Sequence, residues 1–271
     1  MGLYHDPRAV SWDAGWHKPL GGAASTHILK TSAKRNVLYL EYLCTKAAGR
    51  CGIPVAKVEL LNLGGPVLCS ERYDRTVGEA TSDMRVLRRH QEDFTQAFDI
   101  LPGSKYAELE GGTAHRIADF IHRRFARPIQ AVDAFARLTL FNYLIGNCDN
   151  HLKNVSILYS SDWRGLTLAP AYDLVCTTWF PDLSREMGMR LGGEERIDEV
   201  GPEHIATFAS EMGVPLKRLE AICADLASHV DDAIDAAAAS APLAFDELEW
   251  KAADLREDIA PRRAVLERVA S

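Results

Sequence analysis

The sequence predicts an α+β protein of two lobes, a small mixed lobe over residues 1–73 and a larger, mostly helical lobe over residues 74–271. Three observations predict it. The first 73 residues alternate short β-prone runs with one amphipathic helix pattern, the remainder is dominated by apolar spacings of helical period, and a single pair of strand-like runs interrupts those helices. With 271 residues, 47% of them hydrophobic and 25% charged, the chain has the composition of an ordinary globular protein with room for a substantial core.

Residues 1–25 hold Pro, Gly and Ser with three aromatic side chains and no clear period, and read as loop. THILK, Thr26 to Lys30, is a short strand. From Val37 to Cys51 the spacing of Leu40, Leu43, Cys44, Ala47, Ala48 and Cys51 follows a helical stripe, with Gly52 where a C-cap glycine belongs. VAKVELL and VLCSERY flank the Asn62–Pro66 turn as a hairpin. Beyond a junction at Glu71–Arg75, helices are expected at Gln91–Phe98, Thr113–Arg124, Ile129–Gly146, Glu203–Met212, Leu216–Ala239 and Phe245–Ala270. NVSILY (Asn154–Tyr159) and LTLAPAYDLV (Leu166–Val175), joined by SSDWRG, form a second hairpin.

Charge and cysteine usage narrow the function classes. The net charge of −7 is uneven: residues 1–130 carry 18 basic and 14 acidic groups, residues 131–271 carry 13 and 24. The acidic half repels phosphate backbones, so direct nucleic-acid binding is not expected. The basic runs RVLRRH (Arg85–His90) and HRRFAR (His122–Arg127) read as solvated helix faces. The six cysteines contain no CxxC pair and lie in apolar stretches, as buried free thiols do. No run of about 18 apolar residues and no signal-peptide pattern occurs, which leads us to expect a cytoplasmic protein without a membrane partner.

The densest polar cluster, NCDNHLKN (Asn147 to Asn154), follows the apolar helix AFARLTLFNYLIG, which can hold it rigidly. Antiparallel pairing of the second hairpin returns the chain so that Asp173 lies near Asn154. One carboxylate and one amide oxygen, completed by water and phosphate oxygens, suit Mg²⁺. Asp149 precedes Asn154 by the D-x-x-x-x-N spacing of a kinase catalytic loop, in which Asp takes the acceptor's proton and Asn binds metal. His151 and Lys153, in the same motif, join Asp149 as candidate catalytic residues. Lys30 ends a strand, as a phosphate-binding kinase lysine does, and Glu41 lies on the next helix where it can pair with it. A metal-hydrolase reading of Cys148, Asp149 and His151 lacks the usual ligand spacing.

Taken together, THILK, SERYDR, QEDFTQAF, SKY, LIGNCDNHLKN and LAPAYDL run in order from about Thr26 to Leu174 and resemble the HipA family of serine/threonine kinases, the toxin halves of bacterial toxin–antitoxin pairs. The resemblance implies a bilobed protein-kinase-like fold that uses ATP and Mg²⁺. It makes Asp149 the base, Asn154 and Asp173 the metal ligands, Lys30 the phosphate ligand supported by Glu41, and Ser70, Glu71, Arg72 and Tyr73 the hinge whose backbone meets adenine. Asp93, Gln96 and Lys105 are then structural residues of the second lobe. The implied partners are a helix-turn-helix antitoxin and a protein acceptor, with aminoacyl-tRNA synthetases as the target class. Full-length members also carry an N-terminal subdomain and a phosphate loop before the THILK-like strand. Here 25 residues precede it, and Gly21–Gly22 in KPLGGAAST reads as a turn. A separate protein resembling the N-terminal subdomain is therefore expected to cover an apolar patch involving Trp12, Trp16 and Ile28. The alternatives are a catalytically weak nucleotide- or antitoxin-binding module and a small-molecule kinase.

Overall fold

A computed structural model describes residues 1–12, 14–77, 86–106, 108–242 and 244–271. The first lobe contains strands β1 (Gly2–His5), β2 (Trp16–His17) and β3 (His27–Lys30), helix α1 (Arg35–Arg50), and strands β4 (Val58–Asn62) and β5 (Pro66–Glu71). Its strands make one antiparallel sheet in the order β2-β1-β3-β5-β4. Residues 1–25, expected as loop, thus supply two strands. They are four and two residues long, too short to show a period of two, and β1 is held by β3, a partner that no local pattern reveals.

The alternation of β3 positions the site. Leu29 points into a small core with Leu61, Val67 and Cys69, to which Leu3 and Trp16 are added. Its neighbours Ile28 and Lys30 face the opposite side, opposite Ser70 and Leu68 of β5, because successive side chains of a strand alternate between faces.

The second lobe runs through β6 (Arg75–Val77), β7 (Val86–Arg88), β8 (Gln91–Asp93), α2 (Phe94–Ala97), α3 (Thr113–Arg124), α4 (Pro128–Leu144), β9 (Ser156–Tyr159), β10 (Leu166–Leu168), β11 (Glu186–Leu191), β12 (Glu194–Arg196), α5 (Pro202–Glu211), α6 (Leu216–Ala239) and α7 (Glu247–Ala270). The expected helix at Gln91–Phe98 is corrected to a strand followed by one helical turn. Asp93 ends β8 and caps α2, its carboxylate accepting from the Gln96 N–H while the Gln96 side chain accepts from the Asp93 N–H. β8 joins β9 and β10, so the second hairpin is part of a three-stranded sheet. Nor is that hairpin the only strand pair in this lobe. β6 pairs with β7, and β11 pairs with β12 around Gly192–Gly193, both in the left-handed region. Of the run RVLRRH, Arg85 lies outside the described residues and Val86–Arg88 is strand rather than helix.

One large core binds the two lobes. Leu40, Tyr42, Leu43 and Cys44 of α1 are fully buried together with Phe135, Leu140 and Phe141 of α4, Leu226 and Ile234 of α6, and Leu255 and Ile259 of α7. The core therefore continues across residue 73, and α1 is held from both sides of that position. All six cysteines are free and buried.

Candidate active site

Three charged side chains from three separate elements converge at the cleft. Lys30, at the end of β3, places Nζ 2.6 Å from Glu41 Oε1 on α1 and 2.7 Å from Asp173 Oδ1 on the segment after β10. Burial works against the Lys30 ammonium, but the two facing carboxylates outweigh it and hold its pKa above the ordinary lysine value. Burial pushes the Glu41 carboxyl up, and the Lys30 charge opposes that shift only in part. Glu41 is rigid because it sits in the most deeply packed stretch of α1.

Asp173 is one of three described non-glycine residues in the left-handed region, at φ 57°. Such a conformation costs about 1–3 kcal/mol and persists only where the surroundings over-determine it. Here they do. The Ala56 N–H donates to the Ala171 carbonyl at 2.8 Å and the Ala171 N–H to the Pro54 carbonyl at 2.8 Å. The Tyr172 hydroxyl donates to the Lys153 carbonyl at 2.6 Å and lies 2.6 Å from Ser156 Oγ. The Asp173 carbonyl accepts from Asn147 Nδ2 at 3.4 Å.

Two cavities, of about 170 and 420 Å³, share Lys30, Glu41 and Asp173. The smaller is walled by Ile28, Ala56 and Val58 and bounded by Ser70–Asp74; the larger extends past Thr31 and Ser32. Within the expected hinge, the Glu71 N–H is used by the Lys57 carbonyl and the Arg72 N–H by the Thr26 carbonyl. The Arg72 side chain binds Asp74, and Tyr73 stacks on Tyr172 at 5.8 Å between ring centroids. Burial, with Tyr172 alongside, raises the Tyr73 phenol well above its usual value.

The loop after α4 is fixed by steric exclusion and by a distant arginine. Gly146 has φ 73°, and a Cβ there would collide with the Thr178 hydroxyl and the Arg262 guanidinium. Arg262, buried on α7, donates to the Leu144 carbonyl at 3.1 Å and the Thr178 hydroxyl at 3.2 Å, and pairs with Asp258. The Thr177 hydroxyl donates to the Gly146 carbonyl at 2.9 Å and accepts the Cys148 N–H at 2.8 Å. Asn147 Oδ1 accepts the Asp149 N–H at 3.2 Å, and Asn154 Nδ2 donates to the Asp149 carbonyl at 2.9 Å. That last bond engages Nδ2, and no hydrogen bond to the Asn154 oxygen is seen among the described residues.

Asp149 lines a third cavity of about 630 Å³, bordered by Tyr106, Ser184, Glu186, Arg190 and Glu195, and not the two cavities shared by Lys30. Its Oδ1 accepts a hydrogen bond from the Tyr106 hydroxyl and lies 3.8 Å from His151 Nε2. Burial, chiefly, lowers the His151 pKa; the Asp149 charge opposes this and the Lys105 charge adds to it. Lys105, expected as a structural residue of the second lobe, places its Nζ 2.7 Å from His151 Nε2, beside the loop. Lys153 contributes its backbone carbonyl to Tyr172, and no ion pair or hydrogen bond of its side chain is seen among the described residues. Thr177 and Arg262 belong to no motif of the sequence; Asn147 and Tyr106 fall within NCDNHLKN and SKY, but nothing local shows that SKY folds back 43–46 residues onto the loop. Trp12 and Trp16 pack with His5 and His27 in one aromatic cluster, Trp12 remaining partly exposed, whereas Ile28, expected in the same patch, is corrected to the opposite face of the sheet, where it walls the smaller cavity. Among the described residues no group of three His, Cys, Asp or Glu is placed to hold a metal.

Against known proteins, a model of the HipA-like C-terminal domain matches residues 8–234. The chain belongs to this family. It is 38% identical over 219 residues to the putative kinase Y4mE of Sinorhizobium fredii, covering 80% of this chain and 51% of that protein. It is 29% identical over 226 residues to the serine/threonine-protein kinase toxin HipA of Shewanella oneidensis, covering 79% of this chain and 51% of that protein. The chain thus spans about half the length of the curated relatives it matches. In structure it superimposes over its whole length on 65% of a chain of the Shewanella oneidensis HipA, HipB and operator DNA complex, with TM-score 0.87 and 23% identity. The Helicobacter pylori proinflammatory kinase CtkA matches 90% of this chain and 89% of its own, with TM-score 0.61 and 12% identity. The fold is therefore the HipA-like, bilobed kinase fold expected from the sequence. No helix of the described residues is long and apolar enough to cross a membrane.

Proposed function

We propose that the chain is an ATP- and Mg²⁺-dependent kinase that transfers the γ-phosphate to a serine or threonine hydroxyl of a protein. The observation that carries this reading is the Lys30 ammonium held between Glu41 and Asp173, at the junction of an apolar cavity and an open polar one. Family membership and relatives named as kinases support it. In this reading adenine enters between Ile28, Ala56 and Val58 and meets the Ser70–Tyr73 backbone, while Lys30, steadied by Glu41, holds phosphate oxygens. Asp173 and the Asn154 amide oxygen would supply the hard-oxygen ligands for Mg²⁺, which takes one or two protein carboxylates and leaves its other positions to water and phosphate. The bound ion would neutralise charge on the phosphates. Asp149, with one oxygen engaged by Tyr106, accepts the proton of the attacking hydroxyl, and His151 and Lys153 belong to its loop.

The proposed partners are a helix-turn-helix antitoxin, a separate protein resembling the N-terminal subdomain that covers the Trp12–Trp16 face, and an aminoacyl-tRNA synthetase as acceptor, in the cytoplasm. The structural relative complexed with HipB supports the first of these. Thermal melting tests the central reading. A ligand that binds only the folded state at a hundredfold excess over Kd adds about 2.7 kcal/mol, so MgATP should raise Tm, and Asp173→Ala should abolish the Mg²⁺-dependent part. An unchanged shift in that variant removes Asp173 from the metal site.

A further inference from the structure

A general base on a loop must be aimed as well as present, because a misdirected carboxylate loses most of the benefit of proximity. Asp149 is half exposed on a loop, and packing alone does not lock its side chain. Among the described residues its Oδ1 is held by the Tyr106 hydroxyl, while Oδ2 has no hydrogen-bonding partner. Tyr106 comes from the segment between β8 and α4, far from the loop in sequence, and its ring packs edge-on against His151 at 5.1 Å between centroids.

Lys105, the preceding residue, approaches from the same segment. Its Nζ is 2.7 Å from His151 Nε2 and 4.6 Å from the centre of the Tyr106 ring. An ammonium only donates, so in this contact His151 Nε2 accepts, while Nδ1 is buried with no hydrogen-bond partner among the described residues. No carboxylate of the described residues comes within ion-pair distance of Lys105, in contrast to Lys30, which has two. A cation left without a carboxylate partner beside the base is poised for charge that develops only during reaction. Lys153, the lysine within the sequence motif, shows no such contact.

We infer that Lys105 and Tyr106 are positioning residues of the phosphoryl-transfer site, the phenol aiming the Asp149 carboxylate and the ammonium supplying fixed positive charge beside it. This rests on the kinase reading above. Tyr106 leaves Oδ2 to the acceptor hydroxyl, and Lys105 braces the imidazole on which the Tyr106 ring packs.

The test compares labelled-phosphate transfer from MgATP to cell-extract protein by the wild-type chain and by Tyr106→Phe, Lys105→Met, Lys105→Arg, Asp149→Asn and the Tyr106→Phe/Asp149→Asn double variant, with MgATP melting shifts measured in parallel. Tyr106→Phe and Lys105→Met should each lower kcat about tenfold to a hundredfold with KM for MgATP unchanged. Lys105→Arg should restore most of the loss. The double variant should be no slower than Asp149→Asn alone, because a residue that acts through Asp149 has nothing left to aim. Wild-type rates in Tyr106→Phe and Lys105→Met, with Asp149→Asn impaired, overturn this inference and leave the kinase reading standing. A wild-type chain that neither transfers phosphate nor shows an MgATP shift removes both.

Discussion

The Lys30 cleft and the Asp149 loop hold their charges by different means. At Lys30, full charges face each other: one ammonium on a strand between two carboxylates, one on a helix sealed into the large core and one on the segment after β10. At Asp149, a neutral group holds the carboxylate, the Tyr106 hydroxyl donating to it, while the backbone is fixed by Asn147 Oδ1, which accepts the Asp149 N–H, and by Asn154 Nδ2, which donates to the Asp149 carbonyl. In the proposed kinase Lys30 would exchange one set of oxygens for another as a polyanion binds. The half-exposed Asp149 carboxylate would be the proton acceptor. Binding and chemistry should therefore be separable by mutation.

The largest expected effect is on the loop. Asp149→Asn should reduce phosphate transfer by about 10²–10⁴-fold while the MgATP melting shift is retained. If transfer and binding disappear together, the two regions are not independent and Asp149 is a structural aspartate.

Arg262→Met tests whether the loop depends on α7. Removing the guanidinium leaves Asp258 uncompensated and the Leu144 carbonyl and Thr178 hydroxyl short of a donor, a class of change that costs about 3–5 kcal/mol. A lowered denaturation midpoint by urea is the expected result. A stability within error of wild type would show that Thr177 and Gly146 suffice to shape the loop.

On the cleft side, Glu41→Gln leaves Lys30 steadied by a neutral amide. Loss of one charged hydrogen bond, about 1.5–3 kcal/mol, should weaken MgATP binding by tenfold or more in titration calorimetry, with a smaller change in kcat at saturation. Equal losses in both would tie Glu41 to the reaction step itself.

The smallest effect concerns Asp74, where the lobes join. Burial would raise its carboxyl, but hydrogen bonds and charge from Arg72 and Arg75 outweigh burial and hold its pKa below the ordinary 3.8. A carboxylate with a lowered folded value contributes stability above the unfolded pKa and loses it as pH falls through the folded one. Asp74→Asn should therefore be less stable than wild type at neutral pH, and the gap should close below about pH 4. A gap that does not change with pH would assign the effect to packing.

Some of this was legible in the sequence because it is local. The β-prone run that places Lys30 at a strand end and the period that places Glu41 inside a helix are set by consecutive side chains, and α6 spans the residues its apolar spacing predicts, whereas the strand expected to run from Leu166 to Val175 ends at Leu168 and leaves Asp173 beyond it. The order of the motifs was likewise enough to suggest the family that the comparisons then showed. The strands at Gly2–His5 and Gln91–Asp93 were not legible, since each is too short to carry a period and is stabilised by a partner remote in the chain.

What the sequence determined by itself was which chemical groups are available and on which elements they ride. Tertiary structure alone decided their company: that Lys105 rather than Lys153 approaches His151, that Tyr106 holds Asp149, and that Gly146 must be glycine because Thr178 and Arg262 occupy the space a Cβ would take. The reason is physical. Helix and strand periods arise from bonds between near neighbours in sequence, whereas these contacts join residues from 32 to more than 100 positions apart and form only once the common core has closed.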